Sequence, residues 1–301
     1  MKVKTLLLVV FLFALVVIYS FATINTNTEK QSVACLALVD GSISSKVQYD
    51  LSKIWSNHND PLNFKDDDAN GLVDDISGWN FRGDNNEVFV SDGSNHGSSL
   101  MFLLNGIAPG YCNLLYNTEC SILPIKILSN DEGARMADLI DAIKYAEDMG
   151  ASVCNLSITT SEKNRKLYET MKHSNLLFVV SAGNGGKLLD NSNTAFPAMY
   201  DLDNVLTVGS MNADNKISRF SNYSNSYVDI LAYGENILAK NRYNEWEYYN
   251  GTTYATVRVS ALAMKGIVKG ASTPAEIKQY VIKNAHYQNS LKNYVRYGVI
   301  E

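Results

Sequence analysis

Continuous apolar runs alternate with helical patterns along this 301-residue chain. The first, Val33-Ala-Cys-Leu-Ala-Leu-Val39, stops at Asp40-Gly41. An unbroken run of that length suits a strand buried on both faces of a parallel sheet. Similar runs follow at Ser121 to Leu128, Ala151 to Ser157, Leu176 to Ala182, Val205 to Gly209 and Val228 to Ala232. Met136 to Met149 carries Leu139, Ile140, Ile143 and Ala146 at helical spacing, and Glu162 to His173 is a second helical pattern. A tight turn at Gly251 leads into an apolar, small-residue helix from Ala255 to Met264. Thr273-Pro-Ala-Glu276 is a capping box with Pro at the first helical position, opening a helix to about Asn284. Buried strand alternating with helix predicts an α/β domain with a doubly wound, mostly parallel sheet, over residues 33–301. The Asn/Asp-rich stretches between these elements read as surface loops.

Ahead of that domain, Met1-Lys-Val-Lys4 precedes an apolar run from Leu6 to Ile18, and Ser20-Phe21-Ala22 offers small residues at a cleavage spacing. Residues 1–22 therefore read as a secretory signal peptide. Left uncleaved, residues 5–22 are long enough to anchor the chain to the outer side of a membrane. Residues 23–32 are a polar linker. Composition adds little beyond globularity, with 46% hydrophobic and 19% charged residues. A net charge of −5 gives no sign of nucleic-acid binding, and nothing fixes the oligomeric state. Export changes the reading of the four cysteines. Cys112 and Cys120 flank a short polar loop and are expected to form a local disulfide. Cys35 and Cys154 lie inside strand-like runs and are expected to be buried thiols.

Four positions carry candidate chemistry. Asp40 ends a buried strand, where functional groups of open α/β sheets gather. His96 sits just before the apolar helix start Leu100-Met-Phe-Leu-Leu104. Asn184 lies in a glycine-rich turn after a strand and can donate to a developing oxyanion. Thr253 places a hydroxyl at the first turn of a helix, in the positive end of its dipole, a good place for a nucleophile whose attack creates negative charge. Taken singly, each has a plainer reading as a turn, cap or loop residue. A fifth feature, Asp66-Asp-Asp-Ala-Asn-Gly-Leu-Val-Asp-Asp75, packs oxygen atoms around a Gly turn. Asp66, Asp68, Asn70 and Asp74 are candidate ligands for a structural calcium ion. The plainer reading there is a solvated acidic turn.

Together, the order Asp, His, Asn, hydroxyl resembles that of the subtilisin-like proteases (subtilases). The resemblance runs from about Val33 to the C-terminus. It includes Asp40-Gly41-Ser42, Asp74-Asp-Ile-Ser-Gly-Trp-Asn-Phe81 and His96-Gly-Ser-Ser99, the last in place of His-Gly-Thr-His. Gly106-Ile-Ala-Pro109, Asn155-Leu-Ser157, Ser181-Ala-Gly-Asn-Gly185, Phe196-Pro-Ala198, Val208-Gly209 and Arg219-Phe-Ser-Asn-Tyr-Ser224 also match. Gly251-Thr-Thr-Tyr-Ala-Thr-Val257 resembles the nucleophile segment Gly-Thr-Ser-Met-Ala-x-Pro, with Thr253 at the Ser, Tyr254 at the Met and Val257 at the Pro.

The resemblance implies a three-layer sandwich and an endopeptidase acting on peptides or proteins, with no cofactor required for catalysis. Asp40 would orient His96, which would shuttle a proton between Thr253 and the leaving amine. Asn184 and the Thr253 backbone N–H would bind the oxyanion. Substrate would lie along Gly133 and Ala134 on one side, with Ser157, Ile158, Thr159, Ala182 and Gly183 around it. Thr159 replaces a family Gly and is expected to narrow the primary pocket. The β-branched Thr253 restricts χ1 beside the attacking oxygen, which predicts weak activity. The stretch from His96 to Gly106 is short by about ten residues, with the Cys112–Cys120 insertion following. The usual long pro-segment is replaced by the short linker. These departures favour an alternative, an inactive pseudoprotease that binds a peptide or a partner protease. A third reading is an inert domain held at the membrane.

Overall fold

The computed structural model describes residues 34–129 and 133–301. The expected signal peptide or anchor and linker therefore lie outside the described residues.

Eight strands form one sheet: β1 (Ala34–Asp40), β2 (Trp79–Asn80), β3 (Cys120–Lys126), β4 (Val153–Leu156), β5 (Leu177–Ser181), β6 (Val205–Met211), β7 (Ile230–Tyr233) and β8 (Gly298–Ile300). Their order is β8-β7-β6-β5-β4-β1-β3-β2, and every neighbouring pair is parallel. From β1 the chain builds β2 and β3 on one side, then crosses over and builds the rest on the other. That reversal opens a crevice at the carboxyl end of β1, where Asp40 stands.

Parallel strands need crossover connections, and the helices that supply them cover both faces. On one face lie α2 (Met136–Asp148) and α3 (Arg165–His173). On the other lie α1 (Asn95–Asn105), α4 (Thr252–Val268) and α5 (Pro274–Lys283). Strand alternation divides β1 between the two: Cys35, Ala37 and Val39 join the α2/α3 core, while Leu36 and Leu38 join the other. The expected doubly wound α/β three-layer sandwich is thus the fold, with a sheet parallel throughout. Helix α4 crosses β1, β4, β5, β6 and β7 and is buried along most of its length, which is why it reads as apolar all round.

Several elements differ from the sequence expectations. Helix α4 begins at Thr252, three residues before the apolar pattern, because Gly251 serves as its N-cap and lets the polar Thr252 and Thr253 form its first turn. Helix α3 begins at Arg165, where Asn164 accepts from the Leu167 N–H, so residues 162–164 belong to the preceding loop. The capping box is present as read, with Thr273 and Glu276 bonded reciprocally. Strands β2 and β8 are too short to leave an apolar run. An antiparallel ribbon, Ile237–Lys240 with Trp246–Tyr249, was also not anticipated, because much of it faces solvent. Among the described residues, no helix is long and apolar enough to cross a membrane.

The cysteines correct one expectation. All four are free thiols. Cys112 is exposed in the loop, whereas Cys120 starts β3, in register with Ala34, and is drawn into the core. Burial pushes the Cys120 thiol up to about 11 and the Cys35 thiol to about 12. Cys35 and Cys154 are buried thiols, as expected.

The acidic loop is held by a dense set of hydrogen bonds. Asp66 accepts from the Asn70 and Gly71 amides, and Asp68 from the Asn70 amide and the Asn57 side chain. The Asn70 side-chain oxygen accepts from the Leu72 amide, and Asp74 accepts from the Asn63 and Phe64 amides. Most of these oxygens bond to the loop's own backbone, and the Asp68 and Asp75 carboxylates meet at the Asn57 and Asn70 side chains. Among the described residues no group of three or more His, Cys, Asp or Glu side chains is placed to hold a metal ion. The candidate calcium ligands Asp66, Asp68, Asn70 and Asp74 all lie in this one loop.

Candidate active site

Helix α1 brings His96 to the end of β1. Ser94 caps the helix by accepting from the Gly97 N–H at 3.0 Å. Gly97 then packs on the backbone leaving β1: a Cβ there would lie 2.6 Å from the Gly41 carbonyl oxygen and 2.7 Å from that of Ser42. Only glycine permits this approach. It places His96 Nδ1 2.7 and 2.9 Å from the two carboxylate oxygens of Asp40. Asp40 is 1% exposed, and its Oδ1 also accepts from the Gly41 N–H at 2.7 Å.

The Asp40 charge raises the His96 pKa above its ordinary value, with a further contribution from their hydrogen bond, while burial opposes both. With Nδ1–H given to the carboxylate, the neutral ring presents its Nε2 lone pair outward. Nε2 lies 3.3 Å from Thr253 Oγ1. Three side chains from β1, α1 and α4 thus form one continuous array.

Thr253 is 5% exposed, in the first turn of α4. The first amides of a helix have no intrahelical acceptor. That of Thr252 bonds to Asn184 Oδ1 at 2.9 Å, and the Thr252 hydroxyl bonds to the same oxygen at 2.9 Å. With its oxygen so engaged, the Asn184 amide offers N–H donors at the mouth of the site. Thr252 was missed by the sequence reading, although it was marked as the second letter of the Gly-Thr-Ser motif. Behind the array, buried Asn155 on β4 accepts from the Ser260 hydroxyl of α4 at 2.9 Å.

The residues expected along a substrate also gather. Gly133–Ala134 pairs antiparallel with Leu128–Ser129, and Gly133 has φ +68° with open space around its Cα. Ala134, Met136, Leu139, Ile158, Thr159 and Phe196 contribute to a cavity of about 210 Å³. Ser157, Ile158 and Thr159 continue from the end of β4, and Ala182 and Gly183 from the end of β5. A Cβ at Gly183 would sit 3.5 Å from the Thr159 side chain, so Thr159 lies beside that segment.

An imidazole fixed by a carboxylate on one nitrogen and facing a hydroxyl on the other can accept that hydroxyl's proton. At 3.3 Å the contact is long for a strong hydrogen bond.

Comparison with known proteins agrees with this architecture. The Subtilase family (Peptidase_S8) matches residues 24–298. A thermophilic serine proteinase of Bacillus sp. (strain AK1) is 32% identical over 77% of this chain and 56% of its own length. The major intracellular serine protease of Bacillus subtilis (strain 168) is 30% identical over 67% of this chain and 60% of its own length. The chain thus spans a little over half the length of these curated relatives. Other relatives include an extracellular halolysin-like serine protease of Natrialba magadii, so intracellular and extracellular proteins both occur among them. Among solved structures, the prenylagaramide maturation protease PagA superposes with a TM-score of 0.67 at 20% identity, covering 89% of this chain and 90% of that one. An S218A mutant of the protease domain of PatA gives 0.63 at 22% identity, covering 89% and 92%. With strand order, residue array and a family match across nearly the whole described fold in agreement, the chain belongs to the subtilase family of serine proteases.

Proposed function

We propose that this chain is an exported subtilisin-type endopeptidase that uses Thr253 as its nucleophile. The observation that carries the reading is His96, whose Nδ1 is 2.7 Å from Asp40 and whose Nε2 is 3.3 Å from Thr253 Oγ1. Thr253 Oγ1 attacks the carbonyl carbon of a peptide while its proton passes to His96 Nε2. Asp40 stabilises the imidazolium. The oxyanion accepts from the Asn184 amide and from the Thr253 backbone N–H. When the C–N bond breaks, His96 gives its proton to the amine. Water then repeats the sequence and releases the acid. Nothing in these steps calls for a metal.

Peptide or protein substrates fit the groove beside Gly133 and Ala134. The 210 Å³ cavity, with Met136, Leu139, Ile158 and Phe196 on its walls, suits an apolar side chain. Thr159, on the wall of that cavity, favours a small residue at the bond cleaved. Export rests on the apolar run Leu6 to Ile18. Finding the chain in the cell interior, rather than in the medium or the outer membrane fraction, would overturn it.

A second reading has its own support. Thr253 adds a methyl beside the attacking oxygen and Thr159 lies in the wall of the 210 Å³ cavity, as expected of a protein that holds a peptide without cutting it. Hydrolysis of a mixed peptide library by wild type, Thr253→Ser and Thr253→Ala separates the two. Cleavage by wild type that vanishes in the Ala variant is the expected result. Silence in wild type with cleavage by the Ser variant points to binding as the native role. Silence in all three sinks the endopeptidase reading.

A further inference from the structure

Two departures from the family motifs lie in contact. Ser99 stands in the last place of His-Gly-Thr-His, and Tyr254 stands where the nucleophile segment has Met. The Tyr254 hydroxyl is 3.1 Å from Ser99 Oγ, and Ser99 Oγ donates to the His96 carbonyl at 3.0 Å. Because the serine's one proton goes to that carbonyl, the phenol is the donor to Ser99. Burial is the largest cause raising the Tyr254 pKa, so that proton is retained across the neutral range.

The ring has little freedom. Tyr254 is 4% exposed and stacks on Tyr249, with centroids 5.2 Å apart and planes at 26°. Its centroid lies 6.4 Å from that of His96. The hydroxyl is therefore held at a fixed point between α1 and α4. One of these helices carries His96 and the other Thr253, so the separation of Nε2 from Oγ1 follows the placement of the two helices. Asp40 fixes the imidazole to β1 by hydrogen bonds.

We propose that Tyr254 is a positioning residue, tying the first turn of α4 to the first turn of α1 through Ser99 and so setting the His96–Thr253 approach. The proposal rests on the proton transfer described under the proposed function. A small serine at 99 leaves room for the phenol, and the phenol supplies a hydroxyl that a thioether lacks. The two departures thus form one device.

The test uses the full chain with Tyr254→Phe, which keeps the ring, together with Ser99→Ala and the double variant. Two readouts are taken: kcat and KM on a cleaved peptide, and the imidazole NMR signals of His96, assigned by their loss in His96→Gln. Misplacement on the order of 1 Å costs about a hundredfold in such arrays. The expected result is a fall in kcat of about ten- to a hundredfold for either single variant, with KM within about twofold and shifted His96 signals. The double variant should be no worse than either single one, as for two members of one chain of bonds. A lower Tm with unchanged kcat and unchanged His96 signals makes Tyr254 merely structural and overturns the proposal, as do additive losses. If wild type cleaves no peptide, the NMR readout decides alone. Shifted His96 signals then keep the positioning while the hydrolytic reading falls, and unchanged signals sink the positioning.

Discussion

Two polar clusters lie close to the sheet, and their oxygens are used differently. In the loop 57–75, the carboxylates close on the loop itself. Buried Asp60 accepts from the Asp67 and Asp75 amides, and Asp75 accepts from the Tyr145 hydroxyl at 2.7 Å as well as from Asn57 and Asn70. Around His96 the groups form an open series: a carboxylate, an imidazole and a hydroxyl, with Asn184 turned so that its N–H groups remain to give. Both clusters are rich in charge and hydrogen bonds. The first has a donor for each of these acceptors, which fixes its shape. The second ends in a hydroxyl that can lose a proton and in donors that can receive charge. Chemistry follows from what a cluster leaves available, not from how many polar groups it contains.

The largest effect that tests this contrast is at His96. His96→Ala removes the proton acceptor and is expected to lower kcat by about 10⁴-fold or more, with the chain still folded. Steady-state kinetics and a melting curve on one preparation check both halves. Loss of less than tenfold would mean that the array is not the reacting one. Next comes Asn184→Ala, expected to lower kcat by about 10²–10³-fold with little change in KM, because its donors matter once the oxyanion forms. An equal rise in KM would place Asn184 in ground-state binding instead. Asp60→Ala reverses the pattern. It deprives two amides of their acceptor and is expected to cost about 1–3 kcal/mol, a fall of several degrees in Tm. Turnover per folded molecule should stay within about twofold, and a large loss in kcat would join the two clusters functionally.

The acidic loop shows where sequence runs out. Spacing of acidic residues is visible in the chain, but the direction of each carboxylate depends on backbone turns. Asp74 has φ +59°, and this left-handed geometry goes with a side chain engaged by the Asn63 and Phe64 amides. Nothing in the order of residues reveals that. The same holds for Cys112 and Cys120, whose separation depends on how far β3 extends. The central strands were legible from their long apolar runs, and Asp40 from its place at the end of one together with the motif order. His96, Asn184 and Thr253 were legible through motif order rather than through periodicity. Thr252, Ser99 and Tyr254 stood inside those motifs, but their contacts link segments 68 and 155 residues apart, which no local pattern encodes.

The smallest effect concerns pH, and it sets activity against stability within the His96 cluster. Asp40 raises the His96 pKa in the folded chain. A histidine whose folded pKa exceeds its unfolded value near 6.5 adds stability while protonated. That contribution is fully present below the unfolded pKa and is lost as pH rises through the folded pKa. Turnover requires the neutral ring, so kcat/KM should rise across the same interval, with its midpoint above the ordinary histidine value. Melting curves of wild type and His96→Gln should therefore differ in slope over that interval, with wild type losing stability as it gains activity. The acidic cluster has a pH-dependent group of its own in Asp75. Burial raises the Asp75 pKa, but from the carboxylate range. Its stability term is complete below the ordinary carboxylate pKa and fades as pH climbs through the raised folded value. Asp75→Asn should flatten that slope while leaving the pH profile of kcat/KM where it was. A shift of the activity profile in Asp75→Asn would break the separation of the two clusters, and an activity midpoint at or below the ordinary histidine value would remove Asp40 as the group that tunes His96.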